Sequence, residues 1–225
     1  MAVGDAFPFG RQIPVIGDVV VVKNHQGLHV RQQTGCLGQI LTEALQADYW
    51  KPVQAGDLDN SDSMKVSRLI SNEKTIIHPE GFSLSQPMSP HAAATIDKVK
   101  LSAKKLTRPR TGNALIIEGA GGLLVPINHT ETMADLIIPG DRIILVSRNY
   151  LGSINHTLLS HEVLKNRAID CFGMIFNGEQ NKASEEVILK MSGVSMLGRI
   201  NDEPYFDRNV VKEYAEIFRS KFSEE

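Results

Sequence analysis

A lysine inside an apolar run is costly to bury unless something pairs with it, and Lys51 stands in such a run, Tyr49-Trp50-Lys51-Pro52-Val53. At a strand end its ammonium would donate to phosphate or carboxylate oxygens. At a sheet edge it would only snorkel to water. Glu118 closes a second run, Ala114-Leu115-Ile116-Ile117, and leads into Gly119-Ala120-Gly121-Gly122. A strand-end carboxylate followed by small residues has the composition of a magnesium–nucleotide site. Mg2+ takes one or two carboxylates with phosphate oxygens and water, and residues without a bulky side chain let backbone N–H groups approach an anion. The same stretch also reads as a glycine-rich turn with a solvated Glu. Asp62, after Asn60-Ser61, suits either the first turn of a helix, where a carboxylate meets the positive end of the macrodipole, or a second Mg2+ ligand.

Three further places carry candidate chemistry. Gly152-Ser153 precedes a helical pattern, an anion-friendly terminus. Asn177-Gly178 follows an apolar run, so the Asn amide could read a nucleobase edge or simply form a turn. His91, in Pro87-Met88-Ser89-Pro90-His91, has no carboxylate partner identifiable in the sequence.

The elements that must position these residues follow from hydrophobic patterning. Continuous apolar runs mark strands buried on both faces: 19–22, 49–53, 114–117, 142–146, 171–176 and, more weakly, 196–200. Between them lie helical patterns at 37–45, 62–70, 154–167 (with Asn155 as its start), 184–191 and 207–222. Strands alternating with single helices give right-handed crossovers and a mostly parallel sheet with helices on both faces. Ligands in such sheets bind beyond the carboxyl ends of the strands, where Lys51, Glu118, Gly152 and Asn177 fall. Residues 1–18 read as an irregular N-terminal extension and 19–225 as one α/β domain.

Composition narrows the class. The 225 residues are 42% hydrophobic and 22% charged, with a net charge of −2, which gives no electrostatic reason to expect nucleic acid or an anionic membrane as partner. No apolar run approaches the ~20 residues of a membrane span, and the first 18 residues lack the apolar core of a signal peptide. A cytoplasmic protein is expected. The basic stretch from Lys98 to Arg110 has no interleaved aromatics and reads as a solvated face. Cys36 and Cys171 belong to no CxxC or Cys/His cluster, so both are expected to be buried thiols.

Taken in order, Lys51-Pro52-Val53-Gln54-Ala55-Gly56, Asn60-Ser61-Asp62, Pro87-Met88-Ser89-Pro90-His91, Glu118-Gly119-Ala120-Gly121-Gly122, Leu151-Gly152-Ser153-Ile154-Asn155-His156 and Asn177-Gly178 resemble the dethiobiotin synthetase family over roughly residues 40 to 200. The segments 118–128 and 151–156 are the most specific to it, and the latter argues against another P-loop ligase or a MinD-like ATPase. The resemblance implies a three-layer P-loop-NTPase-like α/β fold and an ATP- and Mg2+-dependent ring closure of 7,8-diaminononanoate with CO2 or bicarbonate. By position, Lys51 is implied as the catalytic lysine, and Asp62 and Glu118 as metal ligands that also contact nucleotide. Gly119, Ala120 and Gly121 are implied as nucleotide contacts, and Asn177 with Gly178 at the adenine. Ala55, Gly56, Leu151, Gly152 and Ser153 are implied to contact substrate, in a homodimer.

The departure lies upstream. The family's first strand leads into a Gly-x4-Gly-Lys-Thr/Ser loop, whereas here Val19–Val22 is followed by Lys23-Asn24-His25-Gln26-Gly27-Leu28-His29-Val30-Arg31-Gln32-Gln33-Thr34-Gly35. Neither Lys23 nor Thr34 has the required neighbour, and Arg31 is no equivalent of a P-loop lysine. Two readings stay open. Codons for 35–38 read one base later can spell Val-Val-Ser-Ala, a continuation of the family's loop helix, but the shift recovers the motif only in part. The other reading is a diverged homologue that binds substrate or nucleotide without turnover.

Overall fold

A computed structural model describes residues 19–23 and 36–223. Residues 1–18, expected to form an N-terminal extension, and residues 24–35, where the phosphate loop is expected, lie outside the described residues. Six strands form a sheet in the order β2-β5-β1-β6-β7-β8, with β1 at Val19–Lys23, β2 at Asp48–Trp50, β5 at Leu115–Glu118, β6 at Arg142–Arg148, β7 at Cys171–Asn177 and β8 at Met196–Ile200. Every pairing within it is parallel, so all carboxyl ends share one edge.

The apolar runs that gave no periodicity in sequence are divided by the pleat. Leu115, Ile117, Ile143, Leu145, Met174 and Phe176 face one core; Ile116, Ile144, Val146 and Ile175 face the other. Successive strand side chains point to opposite faces, and each face is covered. Helices α1 (Cys36–Leu45), α2 (Asp62–Leu69) and α6 (Arg208–Ser223) pack on the second through Leu37, Ile40, Leu41, Val66, Phe218 and Phe222. Helices α3 (Pro90–Ile96), α4 (Ser153–Asn166) and α5 (Lys182–Ser192) pack on the first through Ala93, Leu164 and Ile188. Among the described residues no helix is long and apolar enough to cross a membrane.

One strand departs from the expectation. The run 49–53 is broken at Lys51: β2 ends at Trp50, and β3 (Val53–Ala55) pairs in parallel with β4 (Phe82–Leu84) in a separate two-stranded sheet. Pro52 has no N–H to give to a ladder. The Lys51 and Pro52 carbonyls instead accept from Gly81 and Phe82. Lys51 thus lies just beyond β2 rather than within it. Helix α4 also starts two residues earlier than the pattern implied, at Ser153, behind a left-handed Gly152 at φ +100°.

Buried carboxylates fix the amino edge of the sheet, opposite the edge that carries the site. Glu43 at the end of α1 accepts from the backbone and side chains of Ser71 and Asn72 just beyond α2. Burial pushes its pKa up, but the hydrogen bonds outweigh this and hold it below the usual value. Asp48 ties Ile76 N–H, His78 and Thr111 to the start of β2.

The cysteines divide. Cys36 is buried, whereas Cys171, the first residue of β7, is half-buried, a correction to the expectation of two buried thiols. Burial pushes the Cys171 thiol up to about 11, with backbone hydrogen bonds opposing. Since the thiolate is the nucleophile, iodoacetamide at pH 8 is expected to alkylate Cys171 at least tenfold more slowly than a free cysteine. Peptide mass spectrometry over time checks this; alkylation at the free-thiol rate would contradict it.

Candidate active site

The residues after the strands converge at the carboxyl edge. Lys51, immediately beyond β2, is 5% exposed, and Glu118, the last residue of β5, is fully buried. The Lys51 ammonium lies 2.8 Å from Asp62 Oδ2, 3.3 Å from Glu118 Oε1 and 3.2 Å from the Gly119 carbonyl. This removes both the snorkelling reading of Lys51 and the solvated reading of Glu118. Burial alone would lower the Lys51 pKa; the negative charges of Glu118 and Asp62 outweigh it and hold the group above the ordinary lysine value.

Each carboxylate has its own support. The Tyr49 hydroxyl donates to Glu118 Oε2 at 3.1 Å, and burial, then the charge of Glu118, raise the phenol well above its ordinary pKa. Asp62 opens α2, whose cap is Ser61: its hydroxyl accepts from Met64 N–H and donates to Glu80 at 2.8 Å. Lys65, one turn along, reaches Asp62 Oδ1 at 3.2 Å. The Asp62 N–H, one of the donors a helix start leaves without an intrahelical acceptor, donates to Gln54 Oε1 at 3.2 Å.

Two carboxylates around one buried cation are an oxygen-only donor set. Among the described residues no group of three or more His, Cys, Asp or Glu side chains is placed to hold a metal ion. A site of two carboxylates that leaves remaining positions to phosphate oxygens and water suits Mg2+ rather than a metal caged wholly by protein. Beside it, residues 119–122 run past Glu118, with Gly119, Ala120 and Gly122 half-buried and Gly121 exposed, the last at φ +79°.

The remaining sequence candidates fall into two groups. Ala55 ends β3 and Gly56 begins the turn after it; Gly56 N–H donates to the Leu84 carbonyl at 2.8 Å, and Gln54 Nε2 donates to the Gly56 carbonyl at 2.8 Å. Leu151, Gly152 and Ser153 line a different cleft of about 920 Å3, which they share with Gly178 and Asp202. Leu151 is wholly exposed there, whereas Ser153 is 2% exposed. Asn177 is buried beside it, its Oδ1 accepting from Arg148 at 2.9 Å and its Nδ2 donating to the Ile200 carbonyl at 3.3 Å. Arg148 is also paired with Asp202 at 3.0 Å. Tyr49, Gln54, Arg148 and Asp202 were not singled out in the sequence. Polar residues in apolar strands were the available signal for the first two; their partners lie too far along the chain to be read from it.

The comparisons with known proteins bear on this arrangement. The chain is 57% identical over 185 residues to the ATP-dependent dethiobiotin synthetase BioD of Christiangramia forsetii, covering 82% of this chain and 89% of that protein. It is 51% identical over 178 residues to the ATP-dependent dethiobiotin synthetase BioD of Cytophaga hutchinsonii, covering 78% and 86%. The chain belongs to the dethiobiotin synthetase family. A family model described as an AAA domain matches residues 36–210. Among solved structures, a ParA family ATPase from Chlorobium tepidum TLS superposes with a TM-score of 0.53 at 14% identity over 91% of each chain. The MinC:MinD cell division protein complex of Aquifex aeolicus gives 0.54 at 14% identity over 93% of this chain and 97% of that one. At such identity these establish the fold alone, the three-layer α/β fold of P-loop NTPases. The matched domain begins at α1, and the segment where the family's phosphate loop would lie, Asn24–Gly35, is outside the described residues.

Proposed function

We propose that this protein is an ATP- and Mg2+-dependent ligase that closes 7,8-diaminononanoate and CO2 into dethiobiotin. The observation that carries the reading is the buried Lys51 ammonium held between Asp62 and Glu118 at the carboxyl edge of the sheet. One amine adds to CO2, losing a proton to give a carbamate. A carbamate oxygen attacks the γ-phosphorus of ATP, releasing ADP and leaving a mixed carbamic-phosphoric anhydride. The neighbouring amine then attacks the carbamate carbon and phosphate departs, closing a five-membered cyclic urea.

In this scheme Lys51 stabilises negative charge on the carbamate and on the transferring phosphoryl oxygens, a fixed charge where charge develops. Asp62 and Glu118 would hold Mg2+, which when bound neutralises charge on the phosphate oxygens. Gly119, Ala120 and Gly121 contact the nucleotide phosphates through backbone groups, and Asn177 and Gly178 lie at the base. Ala55 and Gly56 contact the diamine, and Leu151, Gly152 and Ser153 contact it from a homodimer interface. Residues 19–225 act as one domain, in the cytoplasm.

The absence of Gly-Lys-Thr between Lys23 and Gly35 favours a second reading, a homologue that binds without turnover. The two separate experimentally. Calorimetric titration with ATP and Mg2+, followed by turnover of 7,8-diaminononanoate, is expected to give micromolar nucleotide affinity and ATP-dependent dethiobiotin formation. Diamine binding without product would establish the silent homologue, and no binding of either ligand would sink both.

A further inference from the structure

We infer that Gln54 is a positioning residue that sets Asp62 against Lys51 and ties it to the Gly56 turn. The inference rests on the proposed roles of Lys51 and Asp62. Gln54 is 5% exposed and touches neither Lys51 nor Glu118 in any hydrogen bond. Its amide spans a loop instead: Oε1 accepts from the Asp62 N–H at 3.2 Å, and Nε2 donates to the Gly56 carbonyl at 2.8 Å. Between these two anchors the chain makes a left-handed pair, Gly56 at φ +70° and Asp57 at φ +52°, then a short 3-10 turn at Leu58–Asn60.

Leu58, Asp59 and Asn60 are exposed, and they line an open cleft of about 1110 Å3. Within the loop the Asn60 N–H bonds back to the Asp57 carbonyl, and Arg68 reaches the Asn60 side chain from α2. These contacts close the loop on itself and on α2, and Gln54 links it to β3. The geometry at stake is narrow, because a Lys51–Asp62 separation of 2.8 Å does not survive an ångström of drift at the start of α2, and misplacement on that scale costs roughly 10²-fold in catalysis. A glutamine is suited to the task because one amide offers an acceptor to the helix start and a donor to the turn, without adding charge beside the Lys51 cluster.

The test is Gln54→Met, which keeps length and removes both hydrogen bonds. With 7,8-diaminononanoate, ATP and Mg2+, the expected result is kcat at least tenfold lower with KM for ATP within twofold of wild type. In an Asp62→Asn background the same substitution is expected to cost less than twofold more, since a residue acting through Asp62 has nothing left to position. A merely structural role would give independent, multiplying losses, and that outcome overturns the inference, as does wild-type kcat. Gln54→Glu keeps the acceptor for Asp62 but not the donor for Gly56; it covers the case in which the Met variant does not fold and is expected to fall between the two. Mn2+ affinity without nucleotide supplies a readout independent of turnover: at least fivefold weaker binding is expected in Gln54→Met, and equal affinity overturns the inference. If wild type forms no dethiobiotin, the functional reading fails while the Mn2+ comparison still decides the role of Gln54.

Discussion

Replacing Lys51 with Met is expected to reduce dethiobiotin formation by roughly 10²–10³-fold and to destabilise the fold by about 3–5 kcal/mol. Both effects have one origin. Glu118 is fully buried, and its charge is tolerable there because the Lys51 ammonium and the Tyr49 hydroxyl satisfy its two oxygens. Removing the ammonium takes the Lys51 charge away from that buried carboxylate, and Asp62 adds a second negative charge nearby. Methionine fills the volume, so the loss is electrostatic rather than a cavity. Urea denaturation and steady-state turnover on one preparation check the pair of effects. Unchanged turnover in a folded variant would overturn the catalytic role, and unchanged stability would overturn the electrostatic one.

The pH dependence follows from the same cluster. With its folded pKa raised by Glu118 and Asp62, Lys51 contributes stability that is fully present below its unfolded value of about 10.4. That contribution is lost as pH rises through the folded value. Turnover therefore has no limb from Lys51 deprotonation below about pH 10, and any alkaline limb nearer neutrality belongs to substrate amines or another group.

The chain shows where sequence reasoning reaches and where it stops. The strands at 114–117, 142–146 and 171–176 were legible because an apolar run buried on both faces needs no partner to be recognised. Their order was not, since nothing in Val19–Val22 says that its neighbours are β5 and β6. The break at Lys51-Pro52 was misread as one strand because the acceptors' true partners, Gly81 and Phe82, lie thirty residues away in a segment with no periodic signal. Lys51 and Glu118 stood out as charges against apolar backgrounds. Their supporting residues did not: Tyr49 looks like a strand aromatic and Gln54 like an edge amide, until the fold brings a carboxylate to one and a helix start to the other.

The turn that Gln54 anchors is expected to be the least tolerant point of the proposed diamine site. Gly56→Ala is expected to destabilise the protein by roughly 2–5 kcal/mol and to raise KM for the diamine at least tenfold. Two costs add. At φ +70° an L side chain costs about 1–2 kcal/mol. A Cβ there would also lie 2.6 Å from Pro87 Cβ and 2.7 Å from Pro87 Cα and N, and overpacking of that kind costs about 1–3 kcal/mol. Pro87 cannot yield as a flexible side chain would, because the atoms met include its backbone. The turn must open instead, straining the Gly56 hydrogen bonds to Leu84 and Gln54. Gly193 provides the internal control: it has the same φ of +70°, caps α5, and has nothing within 4 Å of an added Cβ. Gly193→Ala thus carries the conformational cost without the clash, and the difference between the two variants in urea denaturation isolates the contact with Pro87. If Gly56→Ala costs no more than Gly193→Ala, the close approach does not constrain the turn. If KM for the diamine stays at wild type while stability falls, the turn does not contact substrate.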